Sequence, residues 1–140
     1  MCIRDRFSRE RPARFTFYLH EFVLRTPVGG TVVMSDQLHH LLRMSVRSYL
    51  TVRVVPASLG AHAAMAGPFI FMEFAEFRSV AYLESETSSL FLEKPEETRA
   101  YRRILGALAD TALGEGESRE LIATVATELY ADREDYDDRA

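Results

Sequence analysis

The chain has 140 residues, 47% hydrophobic and 27% charged, with a net charge of −4. That is the length of one domain and the composition of a globular one, which excludes wholesale disorder and collagen-like repeats. The nearly uncharged stretch Leu59 to Met72 is too short and too broken by Gly60, Gly67 and Pro68 to span a bilayer, and no secretory signal is visible.

Met1 to Arg6 read as a non-native sequencing scar, which puts them outside fold reasoning. Residues 7–131 are expected to form a single, N-terminally incomplete domain, with an acidic tail over 132–140. Phe15 to Leu24 reads as a strand, since Phe15, Phe17 and Leu19 alternate with Thr16, Tyr18 and His20. Pro27, Gly29 and Gly30 then make a turn. From Thr31 to Met44 the apolar positions Met34, Leu38, Leu41 and Leu42 follow one helical face, with Thr31 as the cap. Leu50 to Val55 is a β-branched strand, ended by Pro56.

A loop follows over Ala57 to Gly67. Phe69 to Phe74, Val80 to Glu84 and Leu90 to Leu92 are three further strands, the last two joined by a hairpin connection over Ser85 to Ser89. Pro95, Glu96 and Glu97 suit the first turn of a helix, and Thr98, Tyr101, Ile104, Leu105, Leu108 and Ala112 form its stripe. Gly114 and Gly116 separate it from a last helix whose inner face is Leu121, Ile122, Val125, Ala126 and Leu129. Successive strands with short connections predict an α+β fold: a mainly antiparallel sheet of about four or five strands with helices packed on one face.

Motifs for common chemistries are missing. There is no Gly-x-Ser-x-Gly elbow, Walker loop, Gly-x-Gly-x-x-Gly or His-Glu-x-x-His. His39 and His40 are neighbours on a helix and point about 100° apart, so they cannot chelate together. A site assembled from His20, His62 and a carboxylate is disfavoured, because distant single histidines are usually structural or surface groups. The single cysteine, Cys2, allows no internal disulfide and suits a cytoplasmic chain. The expectation is no enzyme, no metal and no cofactor.

Charges placed on strands need solvent or a partner, because a buried unpaired charge costs several kcal/mol. Glu21, Arg53, Glu73 and Glu84 are in that position, and Glu21 and Arg25 are close enough in sequence to pair. Read functionally, Glu21, Arg25, Arg53, His62, Phe69, Tyr82 and Glu84 line a pocket for a ligand or partner, with Phe71 as a further wall. Read structurally, they belong to the exposed face of a one-sided sheet. Residues 1–70 carry nine Arg against four Asp/Glu, whereas residues 71–140 carry eight Lys/Arg against seventeen Asp/Glu. The acidic half suits a partner-binding surface as well as a solvated one. The segment from Arg9 to Arg14 is followed by no basic recognition helix, which argues against direct DNA contact.

Several ordered motifs carry a resemblance. They are Arg14-Phe15-x-Phe17, Glu21-x-x-Leu24-Arg25-x-x-Val28-Gly29-Gly30 and Met34-x-x-Gln37-Leu38-x-His40-Leu41-Leu42. They continue with Val52-Arg53-Val54-Val55-Pro56, Gly60-x-His62, Gly67-Pro68-Phe69, Tyr82-Leu83-Glu84, Ala112-Leu113 and Glu117-Ser118-x-x-Leu121-Ile122. From about Arg14 to Leu129 the chain resembles the uncharacterised C-terminal domain of actinobacterial XRE regulators, antitoxin-like transcription factors with a Cro/repressor-type helix-turn-helix. It departs from that pattern at Ser88, where the turn commonly has Gly, and at Gly114, where a Ser often caps the last helix. The resemblance implies a cytoplasmic regulatory domain whose helix-turn-helix is missing from this chain. It also implies a small ligand or a small partner protein, a homodimer as one assembly, and DNA contact only through the missing domain. The alternative is a protein-interaction module with no small ligand.

Overall fold

The computed structural model of the chain describes residues 13–62, 64–65 and 67–130. The scar expected over 1–6 and the acidic tail expected over 132–140 lie outside these residues. The fold is α+β, with four helices and two small sheets among the described residues. Contacts divide the chain into two compact units. Of the described residues, unit 1 holds those up to Ser58 and those from Ala112 onward, and unit 2 holds those within Leu59–Thr111. No helix among the described residues is long and apolar enough to cross a membrane.

Unit 1 begins with β1 (Phe15–His20), which runs directly into a short helix, α1 (Glu21–Arg25). The strand expected to reach Leu24 therefore stops four residues early. His20 turns the chain: its Nδ1 accepts the Phe22 N–H at 3.1 Å and caps the helix, while Glu21 and Arg25 pair across one turn. The connection to the next helix passes Gly29 and Gly30 at φ +77° and +92°, a region closed to most side chains. Helix α2 occupies Thr31–Met44, as the apolar spacing predicts, but Gly30 rather than Thr31 is its N-cap. Strand β2 (Leu50–Val55) also has its expected bounds, and Pro56 follows it.

β1 and β2 pair in parallel, with Phe15 opposite Leu50 and His20 opposite Val55. Among the described residues the antiparallel sheet has three strands, not the four or five expected. The chain between β1 and β2 is spent on α1 and α2, and a helical crossover returns a strand parallel to the first. The other edge of β2 is also closed to a further strand. The Val54 carbonyl accepts the Leu113 N–H at 2.9 Å, and the Val54 N–H is accepted by Ser118 Oγ at 2.9 Å.

Helix α4 (Glu115–Tyr130) completes the unit. It buries Ser118, Ile122, Val125, Ala126 and Tyr130. Leu129, expected on this face, is exposed instead, and the buried stripe runs through Ser118 and Tyr130, whose hydroxyls are hydrogen-bonded to Val54 and Leu24. Val52 and Val54 of β2, Met34 and Leu38 of α2, and Leu24 of α1 pack with this face as one core.

Unit 2 contains an antiparallel sheet of three strands in the order β3 (Ile70–Met72), β4 (Val80–Glu84), β5 (Ser89–Leu92). β3 is shorter than the expected Phe69–Phe74. The β4–β5 hairpin closes with the Ser85 N–H donated to the Ser88 carbonyl at 2.8 Å. Helix α3 (Pro95–Thr111) starts at Pro95, as its composition predicts, and ends one residue before Ala112. It buries Thr98 and Leu108, while Ala81 is the buried residue at the centre of the sheet.

Candidate functional site

The polar groups of unit 1 tie segments together. Glu21 is half-buried at the start of α1. One of its carboxylate oxygens accepts Arg25 Nε at 2.7 Å, and the other accepts the Ala57 N–H at 3.1 Å. The Arg25 hydrogen bond, followed by the Ala57 N–H, holds this carboxyl below the usual glutamate range, against the opposing effect of burial. Arg25 also lies 3.9 Å from the exposed carboxylate of Glu128.

Arg53 projects from β2 and donates Nε to the Leu113 carbonyl and Nη2 to the Ala112 carbonyl, each at 2.8 Å. Its guanidinium stands 5.7 Å from the centre of the Tyr18 ring. Tyr130 donates its hydroxyl to the Leu24 carbonyl at 3.0 Å, inside the core. These side chains satisfy backbone groups around a small parallel pair. That is the behaviour of staples, and it accounts for three of the residues singled out from sequence: Glu21, Arg25 and Arg53.

The other four belong to unit 2. His62 Nδ1 accepts the Ala64 N–H at 3.3 Å. Phe69 rests against Tyr101 of α3, with ring centroids 4.8 Å apart. Tyr82 packs on Phe91 of β5 at 4.9 Å, and Glu84 ends β4 in solvent opposite Ser89. The strand register puts Tyr82 beside Ile70 and puts Phe71 beside Ala81. Tyr82 and Phe71 therefore occupy opposite faces of the sheet and share no wall.

That register creates a feature the sequence reading missed. Ile70, Tyr82 and Phe91 stand in one row across all three strands, on the face opposite Ala81. Ile70 is 56% exposed and Phe91 64% exposed. Phe74 and Phe77 add a second exposed pair in the β3–β4 connection, meeting edge to face at 6.4 Å. Single exposed apolar residues are ordinary, whereas a row across neighbouring strands makes a contiguous apolar patch. Pattern alone cannot reveal such a row, because it requires knowing which residues lie opposite each other.

A second missed feature is the outward face of α3. Arg102 donates Nη1 to Glu73 Oε1 at 2.8 Å and Nη2 to Ser79 Oγ at 2.7 Å, and lies 5.1 Å from the centre of the Phe71 ring. Glu96, Arg99, Arg102 and Arg103 line a concavity of about 430 Å³. The repeat of arginine at 99, 102 and 103 is the signal available in sequence, and it is easily read as a solvated helix face.

A family model described as a domain of unknown function (DUF5753) matches residues 3–124. No curated protein and no solved structure matches the chain.

Proposed function

The chain belongs to the DUF5753 family, a domain of unknown function, and from that premise we propose that it is the regulatory domain of a helix-turn-helix transcription factor, responding to a partner protein. The observation that carries the reading is the row Ile70–Tyr82–Phe91, whose outer members are exposed. Apolar and aromatic side chains held rigidly on a sheet lose little entropy on docking and supply the buried centre of an interface. The mechanism is a shift between two populations of the regulator with different DNA affinity. A partner that prefers one of them by roughly 1–3 kcal/mol is sufficient to move the equilibrium several-fold.

DNA contact, in this reading, belongs to an upstream helix-turn-helix, the domain acts in the cytoplasm, and the partner is a small protein encoded beside the regulator. Two experiments test it. Reading the native gene upstream of Phe7 shows an in-frame helix-turn-helix if the reading is right, and a stop codon with a nearby start if it is wrong. Operator binding by the intact regulator is then measured with and without the neighbouring small protein. The protein is expected to change operator affinity, and Ile70→Lys with Phe91→Lys to abolish the change while leaving affinity in its absence intact. An unchanged response in that variant would remove the sheet face from the mechanism.

A further inference from the structure

Residues 71–140 are acidic, with seventeen Asp/Glu against eight Lys/Arg, yet three of those eight cations, Arg99, Arg102 and Arg103, fall within five residues of α3. Helical spacing puts positions three and four apart on one face, where Glu96 precedes Arg99 by one turn. The concavity they line, about 430 Å³, is open to solvent, and all four lining side chains are exposed.

The three guanidiniums are not equivalent. Arg102 is oriented by Glu73 and Ser79 and lies over Phe71, an exposed pairing that occupies two of its nitrogens. Arg99 donates Nε to the Pro95 carbonyl at 3.2 Å. Neither Arg99 nor Arg103 lies within 4.0 Å of a carboxylate among the described residues. Like charges four residues apart on a helix repel, and an oxyanion between them relieves the repulsion. The planar guanidinium fork suits phosphate oxygens, which it binds in pairs of parallel hydrogen bonds. Glu93, Glu96 and Glu97 surround the site in sequence and oppose an extended polyanion such as a nucleic-acid backbone, leaving a compact ligand as the better fit.

We propose that this face of α3 binds a phosphate-bearing small molecule, with Arg99 and Arg103 holding the phosphate beside Arg102 and Glu96 accepting a hydroxyl or amine of the same ligand. The site is separate from the Ile70–Tyr82–Phe91 row and does not depend on the partner reading.

The probe is inorganic pyrophosphate, titrated calorimetrically into the whole chain against sodium chloride at matched ionic strength. Saturable binding above the salt control is expected. Arg99→Gln with Arg103→Gln, both at exposed positions, should weaken it at least about tenfold, with an unchanged circular-dichroism spectrum. Arg103→Gln alone serves if the double variant does not fold. Arg78→Gln, an exposed cation of the same unit outside the concavity, should leave affinity unchanged. No binding beyond the salt control overturns the proposal. So does equal affinity in the Arg99/Arg103 variant, or an equal loss in the Arg78 variant.

Discussion

Ser118 is fully buried, and its hydroxyl is the acceptor for the Val54 N–H. Ser118→Ala leaves that amide without a partner inside the core, where an unsatisfied buried donor costs about 1–3 kcal/mol. A drop of that size in urea unfolding, with an unchanged denaturant slope, is the expected outcome. Glu21 makes a prediction in pH. Its carboxyl is held below the usual range by Arg25 and the Ala57 N–H, so the folded state favours the ionised form. The resulting stabilisation is complete above the ordinary glutamate value of about 4.3 and is lost as pH falls from there through the depressed folded value. Glu21→Gln should therefore be less stable than wild type near neutrality, with the difference closing on acidification. Denaturation midpoints measured from pH 7 to pH 3 check this, and a constant difference would contradict it.

Among the elements, the turn before α2 is the most demanding. Gly29 sits at φ +77°, and a Cβ there would stand 3.2 Å from Val33 Cγ1. Gly29→Ala combines left-handed backbone strain with a tight contact and is expected to cost about 1–2 kcal/mol, read as a lowered Tm. The elements readable from sequence were those with a local cause. Met34, Leu38, Leu41 and Leu42 mark α2, and the run up to Pro56 marks β2. Phe22 and Val23, both exposed, carry no periodic signal, so the end of β1 depended on the imidazole cap of His20. The parallel pairing of β1 with β2 and the row Ile70–Tyr82–Phe91 depend on register between distant segments, which alternation within one strand does not encode. Of the seven site residues read from sequence, the nearest pair, Glu21 and Arg25, was legible because a single turn joins them.

For the molecule as a whole, burial is uneven. The core shared by β2, α2 and α4 contains fully buried Val54, Ile122 and Val125, whereas β3 and β5 are edge strands with exposed side chains. Local opening follows such differences. Native-state hydrogen exchange should find the slowest amides in β2 and α4 and much faster ones in β3 and β5. Uniform protection across both sheets would count against this ranking.

The bond from the Leu113 N–H to the Val54 carbonyl has a topological meaning. Arg53 and Leu113 are also joined, although 60 residues separate them. The chain thus departs from β2 and comes back to it at the same place, so everything between is an excursion from a framework whose two halves are already stitched. Lengthening or exchanging such an excursion adds only slowly to the entropy of closing it. The framework cannot be completed until the ribosome has made Ser118, so nascent chains ending before that residue leave the Val54 N–H without its Ser118 acceptor.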